Sequence, residues 1–494
     1  MTKDSKSFVL TIKDYIDKNY SDWSISMNIF TGLVGFSTVY INRVYKEVYG
    51  MNPIEYLGKV RLEKAKELIE LGVPIGMAAN KVGYTSMRTF YRVFEQEAGM
   101  SPGKYKTRSA KTYEQFKDIV KLHDLRPLDY GRKACDSIML DHDPTQLPPL
   151  ADLESKSRYS YHQGIFLLGM YRIYQMCKKK KYLNYINEWC DFVTEDDGSV
   201  IKYIKHPTVA KNASLDGLQP IRIFTHMYDE TETEKYLQLT ERNMSRVLQW
   251  KSIEDGLLIH SGECETVCIN SVYMMCPSMC MCGKRTKKDL DYYDIVTHQP
   301  IAMYEKMKNP ETGLLYHAFN RNAQWADPVS GLSGECWGRG MGYYIMGILD
   351  MLDYLPKEHK DYDTLCEIAK KTLEAIAKHQ DESGRWYQLI DKGDVKENWL
   401  ENSCSCMFVY SLAKAINEGI IDKEYATVAM RGYSGIIDTI EYGESGEMIL
   451  KDICDGTNAG NDYFENKSTH KNDLHGTGAF VLMCAEVEKL LNSI

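Results

Sequence analysis

Two stretches decide how the chain begins: Leu33-Val34-Gly35-Phe36-Ser37-Thr38-Val39-Tyr40-Ile41-Asn42-Arg43-Val44-Tyr45, closing on Gly50-Met51-Asn52-Pro53, and Lys81-Val82-Gly83-Tyr84-Thr85-Ser86-Met87-Arg88-Thr89-Phe90-Tyr91-Arg92-Val93-Phe94, closing on Gly99-Met100-Ser101-Pro102. They are one pattern written twice, which predicts two copies of one supersecondary unit. In each copy a glycine ends a short helix, because positive φ is easiest for Gly. Ser37, and Thr85 or Ser86, then offer N-caps to the next helix. In the first copy that helix is apolar at Val39, Ile41 or Val44 on one side, with Tyr40, Asn42 and Arg43 available to the other. Helix, tight turn and polar-tipped second helix is the geometry that enters a DNA major groove. Between the copies, residues 53–70 read as one helix, with Pro53 in its first turn and Tyr56, Leu57, Val60, Leu62, Ala65 and Leu68 supplying buried faces.

Working outward, the charge divides with the pattern. The net charge of the 494 residues is −9, yet residues 1–110 hold 16 Lys and Arg against 11 Asp and Glu. A modestly basic first fifth suits a polyanion, and the acidic remainder does not. No stretch approaches the roughly 18–20 apolar residues of a membrane span. The start, Met1-Thr2-Lys3-Asp4-Ser5-Lys6, lacks a signal peptide's apolar core, so a cytoplasmic protein with no membrane contact is expected. All 14 cysteines lie beyond residue 134 in mostly apolar surroundings and read as reduced, buried thiols. The densest group, Cys264, Cys268, Cys276, Cys280 and Cys282, is spaced more tightly than the usual zinc patterns, and no metal is expected there.

Residues 104–125 are polar, with Lys104, Lys106, Arg108, Lys111 and Lys117, and serve as a junction. Beyond about residue 126, amphipathic helical segments recur at 164–177, 291–308, 341–354, 362–379 and 479–491, separated by loops rich in Gly, Asp, Asn and aromatics. About a dozen helices in this stretch fit an α/α toroid better than a sandwich or a doubly wound sheet. The expected organisation is all-α, with a double helix-turn-helix at 1–108, a linker at 109–125 and a helical barrel at 126–494.

The doubled unit, its connecting Arg61-Leu62-Glu63-Lys64-Ala65 and the terminal Gly99-Met100-Ser101-Pro102-x-x-Tyr105 resemble the AraC family of transcription regulators. The resemblance implies that residues 37–45 and 86–94 read bases. The candidates are Thr38, Tyr40, Asn42 and Arg43, then Ser86, Arg88, Thr89 and Arg92. Arg can bond guanine with two donors, Asn can bond adenine, and Ser or Thr can serve bases or phosphates. For each of them a solvated or phosphate-contacting side chain is the plain alternative. Phe30-Thr31-Gly32 stands where the family usually has Leu-Ala, and a helical Gly costs about 0.5–1 kcal/mol relative to Ala. The modest basic excess implies that tight binding takes two chains on a repeated site, that is, a homodimer.

Three runs in the second part carry site-like chemistry. One comprises Tyr316-His317, Trp325-Ala326-Asp327-Pro328 and Cys336-Trp337-Gly338-Arg339-Gly340-Met341-Gly342-Tyr343, where an Arg among aromatics can clamp a carboxylate while rings stack on sugar. The others are Ser214-Leu215-Asp216-Gly217-Leu218 and Val267-Cys268-Ile269-Asn270-Ser271-Val272-Tyr273-Met274. Singly, each has an ordinary structural reading: Trp337 as core, Asp216 as a helix cap, Arg339 in a structural pair, Asn270 as a cap or a bridge to buried backbone. Together with Gly313-Leu314-Leu315-Tyr316-His317, Asn398-Trp399-Leu400-Glu401-Asn402-Ser403 and His475-Gly476-Thr477-Gly478-Ala479, they resemble the unsaturated rhamnogalacturonyl hydrolases, glycoside hydrolase family 105, with family 88 as near relatives.

That resemblance implies an (α/α)6 barrel holding an unsaturated uronyl oligosaccharide derived from pectin, with no metal or cofactor. In such enzymes an Asp protonates the C4=C5 enol ether and assists water addition at C5, in place of the two-carboxylate displacement of most glycosidases. Asp216 matches the first family carboxylate and His317 a substrate-contacting histidine. Trp337 and Arg339 match the uronate-binding stretch, Tyr343 a position normally Trp, and Tyr161 and His260 cavity positions. The family's general acid/base falls on Asn270, and an amide cannot cycle a proton. Glu263 or Glu265 could substitute if the loop brings them round, and a local shift of alignment could return the role to a carboxylate. Asn320 is a second neutral residue where the family often shows Asp. Three functions stay open: a sugar-responsive regulator whose barrel binds without fast turnover, a working hydrolase carrying a DNA-binding unit, and a fusion whose halves do not communicate.

Overall fold

The structure, a computed structural model, describes residues 3–70, 74–106, 123, 125–148, 159–200, 214–260, 265–286, 289–457, 459–460, 463 and 469–493. The chain divides into two compact units, residues 1–118 and 119–493. Of the expected linker, only His123 and Leu125 fall among the described residues.

The first unit contains α1 (Lys3–Asn19), α2 (Met27–Val34), α3 (Thr38–Tyr49), α4 (Pro53–Glu70), α5 (Ile75–Lys81) and α6 (Met87–Ala98). Two small cores form along α4. Leu57 joins Phe8, Ile12, Ile16, Phe30, Ile41 and Tyr45. Leu62, Ala65 and Ile69 join Ala78, Val82, Phe90 and Phe94. Arg61 pins the two cores together: its Nε donates to the Tyr20 carbonyl and its Nη2 to the Asp22 carbonyl, both at 2.7 Å, while its guanidinium lies over the Tyr84 ring. Gly35 ends α2 at φ 74°, and Ser37 and Ser86 accept the backbone N–H three residues on at the starts of α3 and α6. Ser86, not Thr85, is therefore the second cap. The expected apolar face of α3 needs one correction. Ile41 and Val44 are buried, but Val39 is 80% exposed. Tyr40 is only half-exposed, its ring packed against Phe8 and Phe36. An aromatic at that position gains more from the α1 contact than Val39 would, and the helix rolls accordingly.

The described residues of the second unit contain twelve α-helices: α7 (Pro127–Asp141), α8 (Tyr161–Cys177), α9 (Lys180–Val193), α10 (Ile221–Thr231), α11 (Glu234–Val247), α12 (Ser271–Thr286), α13 (Asp289–Met307), α14 (Gly338–Leu352), α15 (Tyr362–Lys378), α16 (Asn402–Asn417), α17 (Ala426–Ile437) and α18 (Leu474–Ser493). The even-numbered helices α8, α10, α12, α14, α16 and α18 touch in turn and close into a ring, with α18 against α8. The odd-numbered helices pack outside it, so the unit is an (α/α)6 barrel. The sequence encodes the two layers by polarity. Residues 338–352 of α14 and 402–416 of α16 are buried along their whole length, whereas α9, α11 and α15 bury one face only.

Inner helices begin earlier than their apolar periodicity suggests, at Tyr161, Gly338 and Leu474. Glycines in their first turns read as loop, and along these helices glycines sit where neighbouring helices leave no room for a side chain. A Cβ on Gly347 would stand 2.7 Å from the Tyr273 backbone nitrogen, and one on Gly478 would stand 2.6 Å from that of Phe166. Two-residue antiparallel strands lead into the inner helices. Val267–Cys268 pairs with Ala318–Phe319 and Trp386–Tyr387 with Leu400–Glu401, while Ile453–Cys454 pairs with Thr469–His470. They gather the N-terminal ends of α12, α14, α16 and α18, which is where the site lies.

Candidate functional site

The stretch from Trp337 to Tyr343 shows why its residue order matters. Gly338 and Gly342, one turn apart, face α16, where Cβ atoms would meet Cys404 at 2.9 Å and Met407 at 2.6 Å. Gly340 leaves room for the contact of His317 with Trp337. Arg339 and Tyr343, also one turn apart, share the remaining face. The Arg339 guanidinium lies over the Trp337 ring at 4.8 Å. Tyr343 stacks on Tyr273 at 5.5 Å and meets Tyr161 edge-on at 6.2 Å.

Arg339 is 2% exposed, and its partners are neutral. Nη1 donates to the Cys454 carbonyl at 2.8 Å and to His475 Nε2, and Nη2 donates to the Asp455 carbonyl at 3.2 Å. Its Nε has no partner. Among the described residues, no carboxylate forms an ion pair with this guanidinium. The barrel's other deeply buried cations contrast with it, since Arg222 and Lys414 bond Asp350 at 2.8 and 3.0 Å. A buried cation outside any ion pair is expensive; among the described residues Arg339 makes none, although the buried Glu401 carboxylate acts on it through space.

Asp216 sits in a single 3-10 turn, Leu215–Leu218, whose cap is Ser214: its Oγ accepts the Asp216 N–H. The Asp216 carboxylate is thus not the cap. One of its oxygens lies 3.5 Å from His260 Nε2, and the other is buried without a partner among the described residues. His260 Nδ1 lies 2.9 Å from Ser271 Oγ. Burial pushes the Asp216 carboxyl up, but the His260 charge and hydrogen bond outweigh it and hold the group below its ordinary 3.8. Burial pulls His260 down, and Asp216 more than restores it, lifting it above 6.5. The two are therefore an ion pair at mildly acid pH. Asn270, next to Ser271, opens α12 with its backbone carbonyl accepting from Tyr273. Its side-chain oxygen is buried and has no partner among the described residues.

The two carboxylates suggested as substitutes for an acid at Asn270 are placed differently. Glu265 is exposed and accepts from Asn322, and Glu263 lies outside the described residues. Asn320 donates to Thr266 and accepts the Asn322 N–H, a loop-building role. His317 is buried 2.8 Å from the Tyr463 hydroxyl, and burial, aided by His260 and Arg339, holds it neutral with a pKa down at about 3. Asp327 and Asn398, prominent in the motifs, secure loops: Asp327 accepts the N–H groups of Val329 and Ser330, and Asn398 brackets the backbone of Leu389 and Lys392.

Sequence reasoning missed a relay behind Arg339. Asp473 Oδ1 lies 2.8 Å from Nδ1 of both His162 and His475. Because Arg339 donates to Nε2 of His475, the ring proton sits on Nδ1 and points at Asp473. Burial, with Arg339 assisting and Asp473 opposing, keeps His475 neutral at about 3. These three residues, like Asp294, His359 and Asp361 elsewhere, are close enough to share a metal ion. In the first trio a metal on His475 Nδ1 would move the ring proton onto Nε2, against the Arg339 donor. The trio suits orientation of the guanidinium better. The only sequence signal was Asp473-x-His475 ahead of an apolar helix; His162 lies 311 positions away. Buried polar atoms of Asp216, Asn270, Tyr273, Trp337, Arg339 and Tyr343 that have no partner among the described residues thus gather at this end of the barrel, where a polar ligand could satisfy them. Of the cysteines weighed for a metal, Cys268, Cys276, Cys280 and Cys282 are buried and in no disulfide, and Cys264 lies outside the described residues.

In the first unit, Thr38 and Arg43 on α3 and Arg88, Thr89 and Arg92 on α6 are exposed, as is the cap Ser86; Asn42 is half-buried. No helix of the described residues is long and apolar enough to cross a membrane.

Comparison with known proteins separates the same two units. The family model described as Glycosyl Hydrolase Family 88 matches residues 130–491, and that of a helix-turn-helix domain, of AraC type, matches residues 32–108. The solved structure of a Clostridium acetobutylicum glycoside hydrolase from family 105 is 28% identical with a TM-score of 0.67, over 73% of this chain and 99% of its own. The unsaturated rhamnogalacturonyl hydrolase YesR of Bacillus subtilis is 22% identical over 56% of this chain and 75% of its own length. The regulatory protein SoxS of Salmonella typhimurium is 30% identical over 21% of this chain and 96% of its own length.

Proposed function

Since this chain belongs to glycosyl hydrolase family 88 over residues 130–491, behind an AraC-type helix-turn-helix domain, we propose that it is a DNA-binding regulator whose barrel senses an unsaturated uronyl oligosaccharide of pectin origin. One observation carries the ligand class: Arg339 is a buried guanidinium with no carboxylate partner among the described residues, set among Trp337, Tyr343 and Tyr161. A uronate carboxylate supplies the missing charge, and the rings supply stacking faces for sugar. The similarity to YesR, named for unsaturated rhamnogalacturonyl substrates, supports the same class.

Asn270 favours sensing over turnover. Hydration of the C4=C5 enol ether needs a proton delivered to C4 and one removed from the water that adds to C5. Asn270 can do neither, and Asp216, held ionised by His260, has no proton to deliver to C4. General acid–base catalysis contributes about 10²–10⁴-fold, so the site holds its ligand far longer than it consumes it. A sensor gains from this, because destroying the ligand would erase the signal. Such a protein acts in the cytoplasm, with DNA as its second partner, as a homodimer on a repeated site, and residues 109–125 join its two domains.

The test is incubation with an unsaturated galacturonyl-rhamnose disaccharide, following the ultraviolet absorbance of the double bond alongside calorimetry. Binding with little loss of absorbance is expected, and Asn270→Asp should raise turnover by at least tenfold. Turnover by the unmodified chain at the rate of ordinary family enzymes would refute the sensor reading and leave a hydrolase with a DNA-binding unit.

A further inference from the structure

The two reading helices of the first unit offer DNA different chemistry. Aligned on their caps, Ser37 and Ser86, the second helical residue is Val39 in α3 and Arg88 in α6, and the sixth is Arg43 and Arg92. Val39 is 80% exposed. A β-branched aliphatic on a helix's open face is served neither by burial nor by helix propensity. In a major groove it has a partner, the thymine C5-methyl. Asn42, one turn on, is half-buried, and its side-chain oxygen is buried with no partner among the described residues, so turning it out to an adenine edge breaks no bond to that oxygen and gives it one. Arg43 is engaged on its own helix, its guanidinium 5.3 Å from the Tyr40 ring centre and 3.9 Å from Glu47. In α6, Arg88 and Arg92 are exposed on one side of the helix, and neither forms an ion pair among the described residues. Guanine O6 and N7 are the acceptors such side chains match.

We propose that the two helices divide the operator, α3 reading an A·T block through Val39 and Asn42 and α6 reading a neighbouring G·C block through Arg88 and Arg92. This rests on the first unit binding duplex DNA, and the excess of base over acid in residues 1–110 provides the attraction.

The full chain is used to select duplexes from a randomised library, and affinities for the selected site are then measured by fluorescence anisotropy. Adjacent A·T and G·C blocks are expected. Replacing thymine by uracil in the A·T block removes only methyl groups and should weaken binding about threefold or more, since a buried methyl-sized group contributes about 0.8 kcal/mol. Val39→Ala should bind thymine and uracil duplexes alike. Arg88→Ala and Arg92→Ala should each relax the preference for guanine about tenfold while leaving the uracil effect intact. A selected site of uniform composition, or a Val39→Ala chain that still distinguishes thymine from uracil, overturns the division of labour alone. Failure to enrich any duplex overturns it together with DNA binding by this unit.

Discussion

Arg339 ties binding and stability together at a single residue. Replacing it with Met forfeits three hydrogen bonds, to the Cys454 and Asp455 carbonyls and to His475 Nε2, but removes a buried charge that has no ion-pair partner among the described residues, so loss and gain offset and net stability should move by no more than about 3 kcal/mol. Affinity for the unsaturated disaccharide should meanwhile fall on the order of a hundredfold, the worth of hydrogen bonds to a charged group. Denaturant unfolding and calorimetry on Arg339→Met check both halves, and a large stability loss with unchanged affinity would mark Arg339 as structural. The Asp216–His260 pair makes a second prediction. His260 titrates above 6.5 in the folded chain, so its contribution is complete below about pH 6.5 and is lost as pH rises through the raised value. Asp216 titrates below 3.8, so its contribution is present above that and is lost as pH falls through the lowered value. His260→Gln should therefore lower the Tm most at pH 4–6.5, and the difference should shrink towards alkaline pH. Trp337, Arg339 and Tyr343 were legible in the sequence because one helical turn brings them together. The Asp473 relay was not, because closure of the ring, not spacing along the chain, brings His162 to it.

Glycine carries the argument at the scale of the helix. In the inner ring, Gly347 and Gly478 sit where neighbouring backbones leave no space, so Gly347→Ala and Gly478→Ala should each destabilise the barrel by about 1–3 kcal/mol despite alanine's better helix propensity. Gly32 is the opposite case. It lies inside α2 with nothing within 4 Å of a Cβ, so Gly32→Ala should stabilise the first unit by up to about 1 kcal/mol. Urea unfolding of the three variants separates the two kinds of glycine, and equal effects would contradict the packing account. These residues also explain which helices could be read from sequence. Amphipathic outer helices such as α15 announce themselves by periodicity. Inner helices such as α14 and α18 were legible over most of their length, but their first turns, opened by glycine and buried on every side, imitate loops until the ring is closed around them. The same difficulty misplaced Val39, whose hydrophobicity suggested burial although α3 turns it outward.

As a whole molecule, the chain joins a basic helix-turn-helix unit to an acidic barrel that holds the proposed ligand site, and regulation requires the sugar to favour one DNA affinity over another. If it does, Arg339→Met should keep the sugar-free affinity for DNA and lose its sugar dependence, which the same anisotropy assay would read. Coupling is reciprocal, so DNA should alter sugar affinity by the same factor. The most direct single measurement is titration of the full chain against its selected duplex, with and without saturating unsaturated galacturonyl-rhamnose, while the double-bond absorbance is followed in the same cuvette. We predict a change in DNA affinity of about 5–150-fold with the absorbance essentially preserved. An unchanged affinity, or disappearance of the double bond at the rate of ordinary family enzymes, would contradict the account.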